Sequence, residues 1–392
     1  MLLQTTFVAN EFPAFGVRLV VYTGTLLKWI GYGAGLGSLF FFAKGESAYM
    51  WLSIIYSFSA GLYRCAHWIG GYPLVPSSIF SLFDKEREPH QSWLHQKLVW
   101  LVDRYQPGVR SQAEQMLMNL TVGRKRLEAM GGDSVALTTA DGAVIDGMYF
   151  APTEESVQDK EPCSMVVLRA NGEFYELDGF GGAKSDGYNY SRKGFHVILI
   201  NYRGVGRSDL GGWASRMGLT LDADAAVQFS MQVLKVPLHR TFFMTRSLGG
   251  AVGTEVASYR PEINLCNNRS FNTFSNAAEG VIGEQFGKYA AKAVSYLFWD
   301  YDSVSNWKRI KGYKWIEYIE NDTMLCNKSL LVRSLVEDKT VDKKSLNVLK
   351  MAPTRGDTHN RPMTSAEESA RWKFFQKAFT FMDKSSESKK SR

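Results

Sequence analysis

One segment constrains the fold of this chain more than any other: residues 240–250 read RTFFMTRSLGG. The apolar run 241–244 favours a β-strand, and it leads to Ser247, two glycines and a stretch of small residues typical of a closely packed helix. This order predicts a strand, a sharp turn and a helix, with the Ser247 hydroxyl presented at the C-terminal edge of a sheet. The N–H of Leu248 would open the helix, where it can donate to a negatively charged oxygen. Ser247 is therefore a candidate nucleophile.

The turn departs from the usual pattern for such a corner, G-x-S-x-G. Residues 245–249 read TRSLG, so Thr245 occupies the first small position and should crowd the turn more than glycine would. The alternative interpretation is a strand–helix corner with a buried or capping serine. Arg246 could meet an anionic substrate or form a structural salt bridge with a neighbouring acid, and the salt bridge is the preferred interpretation.

Length and composition indicate one large α/β domain with an appendage. The chain has 392 residues and a formal net charge of +7. Its basic residues form no dense stripe, so no nucleic-acid partner is predicted, although a weak attraction to anionic membranes is compatible with the charge. The four cysteines are scattered without the spacing of a metal site, and free thiols are expected rather than a disulfide framework. No metal and no cofactor is predicted.

The N-terminal part of the chain differs from the rest in being strongly apolar with few charges. Residues 19–43 and 49–63 are candidate membrane segments, separated by a polar break at 44–47. Overlapping G-x-x-x-G spacing in residues 31–37 would let two helices approach closely in lipid. The alternative is a pair of core helices, but so many glycines disfavour helices in water. We therefore expect a membrane hairpin or anchor.

After this region the periodicity changes to that of an α/β domain. Apolar runs at 134–139 and 143–150 flank Asp141-Gly142, which predicts a hairpin. Further strands are predicted at 165–168, 196–201, 241–244, near Asn264 and at 315–319, with a helix at 221–233. This pattern predicts a mostly parallel, doubly wound sheet with an N-terminal hairpin. The expected domains are 1–76, a hydrophobic membrane-associated helical region; 77–130, a helical connector; 131–382, the α/β domain; and 383–392, a basic disordered tail.

A nucleophilic serine needs a base, and His359 is the candidate. In doubly wound sheets with such a serine, an acid and then a histidine follow it along the chain. Of the six histidines, only His359 comes after Ser247. It lies in the polar loop 355–360, RGDTHN, which is suited to presenting an imidazole. The alternative is a solvated loop histidine.

The acid that orients this imidazole should follow a strand between Ser247 and His359. Asp322 stands just past the predicted strand 315–319 and is the preferred candidate. Asp300 and Asp302 are rivals, but they follow an aromatic, helix-like stretch rather than a strand.

A second oxyanion donor is expected in the loop after the third predicted strand, residues 169–173, RANGE. Its Asn-Gly pair suits a backbone turned toward the site. The backbone N–H of Asn171 is the preferred donor beside that of Leu248, with Gly172 as the alternative.

From about residue 131 to residue 380 the chain resembles the α/β-hydrolase superfamily. The landmarks follow the family's order: the loop 169–173, the segment NYRGVGRS at 201–208, the serine corner, and the loops of Asp322 and His359. The resemblance implies that 201–208 is a structural loop after the fourth strand. Read by itself, it would be a tight glycine turn or a weak phosphate-binding loop.

The combination of this domain with a hydrophobic N-terminus is similar to the CHLPS-type hydrolase-like proteins of chlamydiae and other intracellular bacteria. Two features depart from the family pattern: Thr245 at the corner, and Arg169-Ala170 where relatives often carry a His-Gly turn. Both touch the oxyanion hole, so they should affect catalytic efficiency more than the fold.

The resemblance and the candidate residues together imply a membrane-associated serine hydrolase that cleaves a carboxylic ester or thioester through Ser247, His359 and Asp322. Proximity to a membrane favours a lipid-like acyl group. Two alternatives stay open. One is a weakly active or inactive interaction module at a membrane, and the other is an acyltransferase that uses the same three residues.

Overall fold

The structure is a computed structural model, and its described residues form one α/β domain and an N-terminal strand. The described residues are 5–8, 109–153, 161–171, 173–208, 215–282, 287–288, 291–292, 300–353 and 356–390. The predicted membrane segments at 19–43 and 49–63 lie outside them. No helix within these ranges is long and apolar enough to cross a bilayer.

Nine strands in the described ranges form one sheet, in the order β1-β2-β3-β5-β4-β6-β7-β8-β9. The strands are β1 Thr5–Val8, β2 Gly132–Thr138, β3 Val144–Phe150, β4 Cys163–Leu168, β5 Phe195–Ile200, β6 Thr241–Arg246, β7 Asn264–Asn268, β8 Lys314–Ile319 and β9 Asn347–Met351. β3 is antiparallel to both of its neighbours, β2 and β5, and all other neighbours are parallel. The predicted sheet, mostly parallel with a hairpin at its start, is present.

Helices connect the parallel strands and cover both faces of the sheet. They are α1 Val109–Ala129, α2 Asp186–Ser191, α3 Arg216–Gln232, α4 Leu248–Tyr259, α5 Phe274–Ile282, α6 Ser303–Arg309, α7 Leu331–Glu337 and α8 Ser365–Lys390. Short 3₁₀ helices lie at Tyr175–Phe180, Gly182–Lys184, Leu238–Arg240, Asn327–Ser329 and Lys343–Ser345.

The core lies on both faces of the central strands because successive side chains of a strand point to opposite sides. On one face Val166, Ile198 and Phe243 pack with side chains of α3 and α4. On the other face, their neighbours along the same strands pack against Phe375 and Met382 of α8. Burial on both faces explains why these strands appear in the sequence as continuous apolar runs rather than as alternating ones.

The hairpin formed at the predicted Asp141-Gly142 turn. Gly142 has φ 87°, which glycine adopts without a side-chain clash. Thr139 closes the turn, since its N–H donates to the carbonyl of Ala143 at 2.8 Å and its hydroxyl oxygen accepts from the Ala143 N–H at 3.0 Å. The register pairs Leu137 with Ile145, both fully buried. The hairpin prediction is confirmed.

Three elements differ from the sequence prediction. Residues 5–8, expected within a helical region, form β1 and pair in parallel with β2. Residues 383–390, expected to be a disordered tail, continue α8 to Lys390, since residues 365–390 contain no glycine or proline to end the helix. β9 was not predicted, because its half-exposed sequence NVLKM has little of the apolar character of the inner strands.

The loop 201–208 is structural, as the resemblance implied. Arg203 is 2% exposed and binds two carboxylates. Its Nη1 and Nη2 donate to Asp141 at 2.7 and 3.0 Å, and its Nε donates to Asp222 of α3 at 2.9 Å. The loop therefore joins the hairpin turn to α3, and nothing in these contacts suggests a phosphate site.

Replacement of Arg203 by methionine is expected to lower the free energy of unfolding by about 3–5 kcal/mol, because it leaves the buried Asp222 carboxylate without its cation. Urea unfolding followed by tryptophan fluorescence measures the change. Arg207→Met is the matched control, since Arg207 is exposed in the same loop; its effect should stay below about 1 kcal/mol. Equal losses in the two variants would contradict a structural role specific to Arg203.

Candidate active site

Ser247 lies at the corner between β6 and α4 in a backbone conformation that non-glycine residues rarely adopt. Its φ is 50° and its ψ is −115°. Such a conformation costs about 1–3 kcal/mol and persists only where the surroundings hold it. Here the Ser247 N–H donates to the carbonyl of Asn268 at 2.9 Å, and the Ser247 carbonyl accepts from the Gly250 N–H at 2.9 Å. The strand, turn and helix predicted from the sequence are thus present, and the turn has the geometry of a nucleophile elbow.

Close packing of α4 explains the glycines after the serine. A Cβ on Gly249 would lie 2.1 Å from the carbonyl oxygen of Leu168, at the end of β4, so only glycine lets the helix approach so near. Thr245 fits because a second glycine makes room for it: a Cβ on Gly253 would lie 2.8 Å from the Thr245 methyl. The Thr245 hydroxyl donates to the carbonyl of Cys266 at 2.7 Å. The predicted crowding is therefore relieved by Gly253.

His359 and Asp322 form a buried pair. The imidazole Nδ1 lies 2.9 and 2.8 Å from the two carboxylate oxygens, and the residues are 2% and 9% exposed. Because the carboxylate accepts a hydrogen bond from Nδ1–H, the other ring nitrogen, Nε2, is left to take up a proton. Asp322 also accepts the backbone N–H groups of Met324 and Leu325, each at 2.9 Å. These contacts fix the carboxylate before any substrate arrives.

The pKa of the Asp322 carboxyl is lowered. Burial by itself raises the pKa, but the hydrogen bond from His359, the electrostatic attraction of its ring and the two backbone N–H groups together outweigh burial. The group is therefore ionised at neutral pH, as an acid that orients a histidine must be.

Backbone contacts hold the His359 loop to the turn that carries Asp322. The His359 N–H donates to the Thr323 hydroxyl at 3.2 Å, and the Thr323 hydroxyl donates to Asp357 at 2.8 Å. The Thr323 N–H donates to the hydroxyl of Thr358 at 3.0 Å. The Asp322–His359 contact is therefore held by two loops that brace each other.

The rival acids have structural partners. Asp300 accepts the backbone N–H of Ser275 at 3.0 Å and its hydroxyl at 2.6 Å, which ties it to the start of α5. Asp302 caps α6 by accepting the Ser305 N–H at 3.0 Å. These contacts account for both carboxylates without a role beside the imidazole.

Arg246 links the loops on either side of the serine corner. Its Nη1 donates to Glu173 at 2.7 Å, in the loop after β4, and its Nη2 donates to Asn360 at 2.9 Å, next to His359. The predicted salt bridge is present. Sequence reasoning did not single out Glu173 or Asn360 as its partners, since only the fold shows which loops come together.

The Arg246 contacts place the His359 loop against the strand end that carries Ser247. In the structure the Ser247 hydroxyl makes no hydrogen bond to the imidazole, and the proton path between them stays a prediction. Such bonds are often long in enzymes without substrate and tighten when it binds.

The candidate oxyanion donors lie on adjacent elements. Leu248 is the first residue of α4, so its N–H has no acceptor within the helix. Asn171 is exposed in the loop after β4. The preceding N–H, that of Ala170, already donates to the Glu173 carboxylate at 3.2 Å, so the Asn171 N–H is the next one along the loop. Gly172, the alternative donor, lies outside the described residues.

Arg169 anchors this loop where relatives often carry a His-Gly turn. Its Nη2 lies 3.2 Å from a carboxylate oxygen of Asp178 and 3.2 Å from one of Asp186, both beyond the loop. The ion pairs fix the loop from outside the site, so the position that departs from the family pattern has a structural function here.

The described residues contain no cluster of side chains that could hold a metal ion. The described cysteines are Cys163, Cys266 and Cys326, and all three are free thiols. Cys65 lies outside the described residues.

Three features together define the α/β-hydrolase fold. They are the mostly parallel sheet with its starting hairpin, the serine corner at the end of β6, and the contact between Asp322, which follows β8, and His359, which follows β9. The fold prediction is confirmed for the α/β domain, whereas the hydrophobic helical region before it lies outside the described residues.

No protein-family model matches the chain. It is similar to the esterase Pf2001 of Pyrococcus furiosus, with a TM-score of 0.47 and 16% identity over 64% of this chain and 92% of that one. An α/β hydrolase from Vibrio vulnificus gives a TM-score of 0.46 and 16% identity over 62% and 80%. Acetyl xylan esterase 1 from Thermoanaerobacterium sp. JW/SL YS485 gives 0.46 and 16% over 62% and 83%.

The fold is assigned from the strand order and the serine corner. The narrower resemblance to CHLPS-type proteins stays a prediction.

Proposed function

We propose that this protein is a serine hydrolase that cleaves carboxylic esters or thioesters through Ser247, His359 and Asp322. One observation carries the proposal: His359 forms a buried pair with Asp322, and Arg246 ties the His359 loop to the corner where Ser247 has φ 50°. A strained serine at a strand–helix corner and a carboxylate-bound imidazole are two of the parts that nucleophilic catalysis requires.

The reaction would begin with attack of the Ser247 oxygen on the acyl carbon while His359 Nε2 takes the hydroxyl proton. The carbonyl oxygen becomes an oxyanion that accepts the N–H groups of Leu248 and Asn171. The bond to the leaving group then breaks, and the alcohol or thiol departs with the proton from His359. An acyl group remains on Ser247.

Water completes the cycle. The water oxygen attacks the acyl carbon while His359 takes a proton from the water. The oxyanion of this second tetrahedral intermediate accepts hydrogen bonds from the same N–H groups, those of Leu248 and Asn171. Collapse releases the carboxylic acid, and the proton returns to the Ser247 oxygen. Asp322 holds the ring tautomer and stabilises the imidazolium in both halves. No metal and no organic cofactor has a step in this scheme.

We also propose, from the sequence, that this hydrolase is associated with a membrane. The apolar segments 19–43 and 49–63 would hold the hydrolase at a bilayer, where acyl groups of lipid-like substrates are concentrated.

A fluorophosphonate probe tests the proposal because it reacts with serines that a neighbouring base has activated. The wild-type protein should be labelled at Ser247, and Ser247→Ala should not be labelled. Ser345→Ala is the control, since Ser345 is exposed in a 3₁₀ helix outside the site; it should label like the wild type. An unlabelled wild type, or equal labelling of Ser247→Ala, would favour the non-catalytic interaction module instead.

A further inference from the structure

A second arginine, Arg269, donates hydrogen bonds to the main chain around His359, the candidate base. It directly follows β7, is 4% exposed and has φ 47°. Its Nη1 donates to the carbonyl of His359 at 2.7 Å and to the carbonyl of Arg361 at 2.8 Å. Two bonds from one nitrogen thus fix the chain on both sides of residue 360.

The same arginine is joined to the anchor of the serine corner. Its Nε donates to the side-chain oxygen of Asn268 at 2.7 Å. The main-chain carbonyl of Asn268 accepts the Ser247 N–H at 2.9 Å. Asn268 therefore holds the backbone of the candidate nucleophile, and Arg269 holds the backbone of the candidate base.

The body of the domain holds this pair of residues in turn. The Asn268 amide donates to Glu317 of β8 at 2.7 Å, and the Arg269 N–H donates to the Glu317 carbonyl at 2.7 Å. Glu317 is buried and accepts Arg371 Nε of α8 at 2.8 Å. The position of the guanidinium is thus set by β8 and by the C-terminal helix.

Arg269 stands in surroundings that disfavour its charge. Burial and the charges of Arg246, Arg371 and Arg361 together lower the pKa of its guanidinium to about 10, although the carboxylate of Glu317 opposes the shift. Its two main-chain acceptors carry no formal charge. A buried cation with this balance is a poor source of stability, so the contacts it makes point to a role in geometry.

We propose that Arg269 is a positioning residue that holds the main chain of His359 so that the imidazole faces Ser247. The inference rests on the proposed serine-hydrolase function. Catalysis is sensitive to such placement, because a displacement of about 1 Å can cost about 100-fold in rate.

Arg269→Met tests the inference in the full-length protein, with p-nitrophenyl butyrate as the probe substrate. We expect kcat to fall by about 10- to 100-fold and KM to change by less than about twofold, since the bonds act on placement of the base and not on substrate binding. Guanidinium ion at millimolar concentration should restore part of kcat in a second variant, Arg269→Ala, because its shortened side chain leaves room for the ion. A merely structural role would not give this rescue.

Arg240 offers a matched control. It is 8% exposed and also donates to two successive main-chain carbonyls, those of Glu161 at 2.9 Å and Pro162 at 3.2 Å. These contacts lie at the N-terminal ends of β4 and β6, whereas Ser247 follows the C-terminal end of β6. Arg240→Met should lower the melting temperature but leave kcat within about twofold of the wild type.

The outcomes separate the inference from the function on which it rests. A wild type that neither hydrolyses the ester nor reacts with the fluorophosphonate refutes the proposed function. An active wild type with an unchanged kcat in Arg269→Met, or with equal losses of kcat in Arg269→Met and Arg240→Met, refutes the positioning role alone. Should Arg269→Met not fold, Arg269→Lys decides. Its ammonium cannot reproduce the planar three-acceptor contact, and a kcat above half of the wild-type value overturns the proposal.

Discussion

Replacement of His359 by glutamine is expected to lower kcat for ester hydrolysis by about 10⁵- to 10⁶-fold, because the amide of glutamine cannot take up the Ser247 proton. Glutamine is the informative substitution. Its amide can still donate to Asp322, and it fills more of the buried space around a residue that is 2% exposed than alanine would. The bond from Arg269 reaches the main-chain carbonyl and is retained. Steady-state kinetics with p-nitrophenyl butyrate measures the loss, and thermal unfolding confirms that the variant is folded.

His196→Gln is the control for this prediction. His196 lies in β5, where Nδ1 is 2.7 Å from the hydroxyl of Tyr149, and burial lowers the pKa of its imidazole. The same substitution there removes a partly buried histidine far along the chain from the candidate triad, and kcat should stay within about twofold of the wild type. A fully active His359→Gln, or a loss shared by both variants, would show that His359 is not the base.

Local patterns were sufficient to predict the elements that carry the site. The serine corner follows from a β-rich run ended by Ser247 and two glycines, and the structure shows the expected strand, turn and helix. The hairpin follows from Asp141-Gly142 between two apolar runs. His359 was chosen because it is the only histidine after Ser247, and Asp322 because it follows a strand. In the structure these two side chains meet at 2.8 Å.

The contacts that hold the site together could not be predicted, since they join residues far apart in the sequence. Arg246 carries a charge that calls for an acid, but Glu173 lies 73 residues away and becomes its partner only when β4 and β6 pair. Arg269 gives no local signal at all. Its target is a main-chain carbonyl 90 residues later, and main-chain acceptors are the same for every sequence.

The two departures from the family pattern acquire physical explanations from the fold. Thr245 is accommodated because Gly253, on the facing side of α4, leaves room for its methyl group. Arg169 anchors its loop through Asp178 and Asp186, so the loop is fixed without a His-Gly turn. In both cases a neighbour accommodates the larger residue: a glycine leaves room for the threonine, and two carboxylates pair with the charge of the arginine. The sequence pattern alone predicted weaker catalysis at both positions, and the structure shows how each residue is compatible with an intact corner.

Asp322→Asn should lower kcat by about 10⁴-fold at neutral pH. The amide nitrogen of asparagine would donate to His359 Nδ1, which forces the proton onto Nε2 and removes the base that Ser247 needs. The remaining amide oxygen can still accept the N–H groups of Met324 and Leu325, so the turn should survive. A large loss of rate with a small loss of stability therefore distinguishes a tautomer effect from local unfolding, and kinetics with thermal unfolding on the same sample measures both.

Asp302→Asn supplies the comparison at a rival acid. Asp302 is exposed and caps α6 through the Ser305 N–H, and asparagine caps helices about as well as aspartate, so kcat should remain within about twofold of the wild type.

The tautomer effect in Asp322→Asn also predicts how the remaining activity of this variant depends on pH. Because the lowered pKa of Asp322 keeps the wild-type carboxylate ionised at neutral pH, that carboxylate should not limit the rate there, whereas the neutral amide withholds the base at every pH. An Asp322→Asn variant that recovers wild-type kcat at any pH would therefore show that this carboxylate does not orient His359.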